Sequence, residues 1–539
     1  MPQDTAKASY VQKILDRYGA MKAHRSLFEI TWAEIAKRVL PRQDDFITRQ
    51  SPGQRREEWI FDSTAQLALP AFASAMESML TPRTQKWHAL QPLDPRLAED
   101  EEVMAYLELV RDILFRNRYM PGANFASQAY EAYMGLGAFG TGVLFIEDGL
   151  SKGFRYQTIP LAECFIAEDH QGVVDTVLRR YELTARQAKQ KWGDKIPEAI
   201  AKCVDKEPDR KFEFIHMVHP NEEGGRFAYK ACDVSVEGKV LLAEGGYRTF
   251  PYAVSRYTMA PREVYGRSPA WDALADIKTL NEMSKTMLRY GQLVTDPPWI
   301  TADLDGMAPF AVRPGAVNPG FMGEQGTPLA RSLAPEGDPR ISLELMDQRR
   351  QSINRAFLVT LFQILVDTPQ MTATEAMLRA QEKGALLAPT IGRQQSEFLG
   401  PLITRELDIL AHAGVLPPMP EQLAESGGRL DIVYDSPLSR AQRSEEGVGI
   451  LRTLEALTPM ANIDPTILQV INFEEAARVL AAVNGAPRRV IRSADEMAAM
   501  KQQQVQQQQL ATLLEAAPVA ADTAKTLAQA NNEMAQAPV

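Results

Sequence analysis

The chain has 539 residues, 45% hydrophobic and 24% charged, with a formal net charge of −10. That length exceeds one ordinary core and predicts two or more domains or an elongated subunit. The acidic balance argues against wholesale wrapping by nucleic acid, which needs a basic footprint, and does not exclude DNA passing an acidic wall that repels phosphates. Cys164, Cys203 and Cys232 are far apart and odd in number. They read as reduced cytoplasmic thiols, not as a zinc site or a disulfide framework. Asp4 and Lys7 with no apolar core behind them argue against a signal peptide. The longest apolar stretch, Ala356 to Val366, is interrupted by Gln363 and falls short of the roughly 20 residues that span a bilayer.

The first 40 residues predict a helix, with Tyr10, Ile14, Trp32, Ile35 and Val39 at helical spacings and Pro41 ending it. After a polar loop from Arg42 to Glu58, Ser63 with Gln66 has the form of a capping box, opening a helix that Thr81-Pro82 stops. Acidic residues Glu99 to Glu102 precede a helical stretch from Val103 to Phe115, as the helix dipole favours. Between Gly142 and Thr258 the texture changes to strands at Val143–Ile146, Phe212–Ile215, Phe227–Tyr229 and Val234–Leu242. Thr184 with Gln187 opens a helix among them. This region reads as α+β.

Ser268-Pro269 is an N-cap followed by proline at the first helical position, and Asp296-Pro297-Pro298 is a firm stop. Between them Ile277, Leu280, Met283, Met287, Tyr290 and Val294 form one apolar stripe on a helix about 40 Å long. Residues 297–338 are dense in Pro and Gly and predict a small insertion with little regular structure. Asp338-Pro339 repeats the start signal, and Ile341, Leu345, Ile353, Phe357, Leu361 and Leu365 continue it to residue 366. Thr372 with Glu375 opens a further helix to about Ala413, kinked near Pro389 and Gly400-Pro401. Residues 440–500 read as short helices, and the end is Gln- and Ala-rich low complexity.

Little catalytic chemistry can be read. Gly135-Leu136-Gly137-Ala138-Phe139-Gly140 matches the dinucleotide fingerprint, but a helix precedes it and a strand follows, the reverse of the required context. It reads as a helix-to-strand turn. His216 and His219, three apart on a strand, point to opposite faces and make a poor metal pair. Asp303-Leu304-Asp305-Gly306 begins like a calcium loop but lacks the later Glu in register. No Walker A sequence and no Gly-x-Ser-x-Gly elbow occur, so a packaging ATPase, helicase or hydrolase is not expected, and neither is a cofactor. Arg349, Arg350 and Arg355 admit two readings: contact with passing phosphates or a neighbouring subunit, or intrahelical pairing with Glu344 or Asp347.

Three segments resemble the portal (head-to-tail connector) proteins of short-tailed bacteriophages, in that family's order. They are Arg55 to Ala65 running on to Leu80-Thr81-Pro82 and Trp87; Phe250-Pro251-Tyr252 through Tyr265-Gly266-Arg267-Ser268-Pro269-Ala270 to Leu280-Asn281; and Met371 to Glu375 with Leu386 to Pro389 and Glu397-Phe398-Leu399. The resemblance implies a mainly helical α+β subunit of a dodecameric ring with wing, two-helix stem, clip and helical crown. It would place the wing at 1–268 and 372–438, the stem helices at 269–296 and 339–366, and the clip at 297–338. The tunnel loop would be 367–371, the crown 439–500, and a tail or crown extension 501–539. The channel candidates are then Asp367, Thr368 and Gln370 with Arg349, Arg350 and Arg355, and the motor- and tail-docking candidates Trp299, Phe310, Arg313 and Phe321. Implied partners are double-stranded DNA without sequence specificity, the terminase large subunit, tail adaptors, and the major capsid and scaffolding proteins. The implied location is the portal vertex of the virion, after synthesis in the host cytoplasm, with no membrane. The alternatives are another virion structural protein, such as an adaptor or internal head protein, and a DNA-acting enzyme, which the missing Walker and paired-metal motifs argue against.

Overall fold

A computed structural model describes residues 2–301 except 50, 52, 99 and 150–152, then 322, 325–328, 330–332, 340–360, 388–434, 447–457 and 471–483, with residues 496, 497, 500, 502, 503 and 506. The chain divides into two compact units. The first takes Met1–Leu90, Leu109–Pro418 and Ile432–Ser436, and the second takes Gln91–Glu108, Met419–Asp431 and Pro437–Val539.

Helices α1 (Pro2–Val39) and α2 (Thr64–Leu80) open the chain. The expected capping box at Ser63 does not form. Ser63 makes no side-chain cap, and the Asp62 carboxylate accepts from the Thr64 N–H instead, at 2.9 Å. Strand β1 (His88–Pro92) is followed by α3 (Glu101–Arg118), which Asp100 caps by accepting from the N–H groups of Glu102 and Val103. Helix α4 (Phe125–Phe139) turns into β2 (Thr141–Asp148) through Gly140, at φ 81°. This is the helix-to-strand turn expected of the glycine run. A Cβ on Gly140 would lie 2.2 Å from the Gly266 carbonyl oxygen, and one on Gly137 would meet Leu69 and Phe72 at 2.7 Å. The glycines serve close packing of chain on chain.

Strands β3 (Phe154–Ile159), β4 (Cys164–Glu168) and β5 (Val174–Thr184) follow, then α5 (Ala185–Trp192), α6 (Glu198–Lys206), β6 (Lys211–Pro220), β7 (Tyr229–Ser235), β8 (Val240–Tyr247) and β9 (Tyr252–Arg256). They form two antiparallel sheets, ordered β3-β2-β9 and β4-β5-β6-β7-β8. Alternation along the five-stranded sheet sorts its side chains. Tyr181, Phe212 and Phe214 face α5 and α6 with Trp192 and Ile200, while Leu178, Ile215 and Met217 face Val11 and Ile14 of α1. The capping box at Thr184 and Gln187 forms in full. The strand expected over Val234–Leu242 is instead a hairpin, β7 to β8, turned at Lys239 with φ 48°. His216 bonds Tyr252 and His219 bonds Tyr10 and the Pro220 carbonyl, so the two part as their spacing predicts.

The helix expected from Pro269 is split. Ser268 caps α7 (Pro269–Asp272), and α8 (Leu274–Thr295) begins after Ala273. Strands β10 (Trp299–Thr301) and β11 (Ala330–Ser332) pair antiparallel. Helix α9 (Arg340–Ala356) is interrupted at Leu358, which takes the left-handed conformation, φ 60°; residues 359 and 360 are helical again, and 361–366 lie outside the described residues. After helical residues 388–394 comes a π-turn at Gln395–Leu399, then α10 (Gly400–His412). Pro401 has no N–H for the Glu397 carbonyl and its ring would press on it, which favours the wider turn. The Gly400 N–H reaches back to the Gln395 carbonyl, which also accepts from the Tyr434 hydroxyl at 2.9 Å. The kink expected at Gly400-Pro401 is thus a π-turn.

In the second unit, α11 (Glu421–Glu425) buries Leu423, and the Leu93 N–H donates to the Arg429 carbonyl beside β12 (Leu430–Tyr434). Residues 447–457 are helical, as is α12 (Phe473–Val483). No helix among the described residues is long and apolar enough to cross a membrane.

Candidate functional site

Helices α8 and α9 run antiparallel, with Asp276 beside Arg349 at one end and Met283 and Met287 near Ser342 toward the other. Ile277 and Leu280 of the predicted stripe are buried, as are Met346, Ile353 and Phe357 on the partner helix. The stripes fade outward: Val294 is 48% exposed and Ile341 69%, Leu345 is exposed as well, and so are Leu288, Leu293 and Leu343 off the stripes. The described part of the insertion continues this surface with Trp299, Ile300 and Met322.

The two arginines of α9 differ in how they are held. Arg349 donates across the pair to Asp276 at 2.8 Å. Arg350 donates to Asp347 at 2.8 Å, the expected intrahelical partner, and to Asp62 at 3.0 Å. Burial raises the Asp62 pKa, but hydrogen bonds from Thr64 and the Arg350 guanidinium outweigh it and hold the carboxyl below its ordinary range. Arg355 is exposed on the last turn. Asp367, Thr368, Gln370, Phe310, Arg313 and Phe321 lie outside the described residues.

The strap ahead of α2 locks onto this pair. Asn281 donates to the Trp59 carbonyl at 3.0 Å and accepts from the Phe61 N–H at 2.8 Å. One side chain thereby satisfies a donor and an acceptor of irregular backbone. Asn281 stood in the sequence only as part of a family resemblance, because its partners lie more than 200 residues away.

A buried ionic hub fixes α10. Arg118 and Glu406, both 0% exposed, form a two-pronged pair at 2.9 and 2.5 Å. The Tyr156 hydroxyl donates to the same carboxylate, and the guanidinium lies 4.5 Å from the Trp87 ring centroid and 4.8 Å from that of Phe115. Arg118 also meets His88 Nε2 at 3.0 Å. Burial, with the nearby Arg118 and Arg111 charges, holds His88 neutral, its pKa well below the ordinary value. Among the described residues no group of three His, Cys, Asp or Glu is placed to hold a metal ion.

A helix pair interrupted by an insertion stands on an α+β body. Residues 11–491 match the family described as bacteriophage head to tail connecting protein, and the chain belongs to that family. Two curated relatives are similar along nearly their whole length. The probable portal protein of Bordetella phage BPP-1 is 26% identical over 95% of this chain and 94% of its own. The portal protein of Salmonella phage epsilon15 is 26% identical over 96% and 95%. Among solved structures, a chain from the neck of an empty GTA particle aligns over 75% of this chain and 91% of its own, at 15% identity and a TM-score of 0.34. The family is structural and non-enzymatic, a head-to-tail connector of the bacteriophage virion.

Proposed function

We propose that the chain is one subunit of a dodecameric portal ring at a capsid vertex, through which double-stranded DNA enters during packaging and leaves during ejection. The observation that carries the reading is the helix pair α8–α9, which leaves Leu288, Leu293, Val294, Ile341, Leu343 and Leu345 exposed. A lone soluble chain gains nothing from displaying such a surface, and a neighbouring copy would cover it. In this reading α8 and α9 belong to the stem, residues 297–338 to the clip, and 367–371 to the tunnel loop.

The mechanism is geometric. DNA must slide whatever its sequence, so tight phosphate contacts would hold it back. The net charge of −10 suits that need. Arg349 and Arg350 are already partnered by Asp276, Asp347 and Asp62, so phosphates they met would be held weakly. Asp367, Thr368, Gln370 and Arg355 are the further channel candidates. Trp299, Phe310, Arg313 and Phe321 would serve docking of the terminase large subunit and then of tail adaptors, with capsid and scaffolding proteins around the ring.

Native mass spectrometry with negative-stain imaging tests this. Twelve chains of 60.0 kDa give a closed ring near 720 kDa with a central hole. A monomer or dimer that binds neither scaffold nor capsid protein would instead make the chain an adaptor or internal head protein. Deleting residues 300–335 should leave the ring intact and abolish motor or tail docking. If that variant packages DNA and gains tails, the clip assignment fails.

A further inference from the structure

Trp59 is anomalous for a residue whose neighbours are so firmly tied. Its carbonyl and the Phe61 N–H are both held by Asn281, Asp62 is held by Arg350, and Arg56 donates to the Pro41 and Arg42 carbonyls. Yet the indole is 71% exposed. A large aromatic side chain gains most when it is buried, roughly 150–250 Å² of it. One on a fixed backbone loses little entropy in docking. Trp59 therefore has the form of a preorganised knob.

The same chain carries a hole. A groove of about 520 Å³ lies between α8 and α9, lined by Lys278, Thr279, Glu282, Met283, Met287 and Ser342 among others. The two methionines are half-buried, and their unbranched thioethers adapt to an incoming ring. Knob and hole lie on different sides of one helix. Asn281 faces the strap, as does Lys285, whose ammonium lies 5.5 Å from the Phe61 ring centroid. Met283 and Met287 are each two residues further on, about 200° around the helix. A knob cannot fill a hole so placed in its own chain. Patches on opposite sides are the requirement for a head-to-tail contact that repeats around a ring. One pair of flanking charges matches as well. Exposed Arg55 borders the knob and exposed Glu282 borders the groove, whereas Lys278 beside it already donates to Glu34 at 2.8 Å.

We infer that Trp59 of one subunit seats in the Met283–Met287 groove of the next copy, with Arg55 toward Glu282. This rests on the ring reading and adds the contact that sets subunit order.

The test is directed crosslinking of the full chain in a Cys203→Ser background, since Cys164 and Cys232 are buried. A Trp59→Cys chain and a Met287→Cys chain are mixed before assembly and treated with a short bismaleimide. The expected result is a covalent dimer from the mixture, none from either chain alone, and a ladder of multimers from the doubly substituted chain. Rings that form without a crosslink above that of a control pair, Val173→Cys with Met287→Cys, overturn the docking and leave the ring standing. If no assembly forms under any condition, the ring reading falls and this contact with it. As a second readout, Trp59→Ala should raise the concentration needed for assembly at least tenfold while leaving the monomer's melting temperature unchanged. Unaltered assembly also overturns the proposal.

Discussion

The Arg118 hub and the α8–α9 pair both join an arginine to a carboxylate, and the two pairings do different work. Arg118 and Glu406 are wholly out of water, ringed by Trp87, Phe115, His88 and Tyr156, so each charge depends on the other. Arg349 and Asp276 keep 44% and 29% of their side-chain surface, so water can replace either partner. The first region is finished within one chain. The second leaves leucines and an isoleucine exposed, where the proposed ring would set a neighbouring copy.

The widest gap between the two should appear on removing one charge. Glu406→Ala strands Arg118 in an apolar hub and should cost about 3–5 kcal/mol in denaturant unfolding of the monomer. Arg118→Met combined with Glu406→Leu should recover much of the loss. Gly140→Ala should cost about 2–4 kcal/mol, since its Cβ would sit 2.2 Å from the Gly266 oxygen on a left-handed backbone. Arg350→Ala should cost about 1 kcal/mol or less, through the Asp62 pairing alone, and Arg349→Ala less, fading with added salt. An Arg349→Ala loss as large as that of Glu406→Ala would erase the contrast.

A separate test is in pH. His216, buried against Tyr252, has its pKa lowered from 6.5 to about 4, and His88 is lowered too. Both are depressed, so the unfolded chain takes up protons first, and stability should decline as pH falls from 6.5 toward 4. Chemical denaturation at stepped pH reads this, and His216→Gln should flatten the slope.

Local signals in the sequence survive in the structure and distant ones do not show. The Thr184 capping box, the Ser268 cap and the glycine turn after α4 depend on neighbours a few residues away, and all form. The Ser63 box does not form, and the helix start is capped instead by Asp62, one residue earlier, which accepts from the Thr64 N–H. Strands β3 and β5 escape notice because charged and polar residues such as Arg155, Gln157, Asp175 and Arg179 interrupt their apolar runs, and β4 because its apolar run, Cys164 to Ala167, is so short. The interruption after α9 turns on a left-handed leucine that no composition rule foretells. Arg118 and Glu406 are 288 residues apart, so no motif could have joined them. Of the channel and docking candidates, Arg349, Arg350, Arg355 and Trp299 are described, and the rest lie outside the described residues.

The π-turn at Gln395–Leu399 changes the phase of the helix it interrupts. One extra residue in the turn offsets everything before it by about 100° relative to α10. With that offset Gln394 accepts from the Ser255 hydroxyl and donates to the Arg256 carbonyl, while Glu397 pairs with Arg256. Glu406, further along, still points at Arg118. A single helix thereby addresses β9 with one stretch and the ionic hub with another, two directions that an unbroken 3.6-residue screw would not serve together.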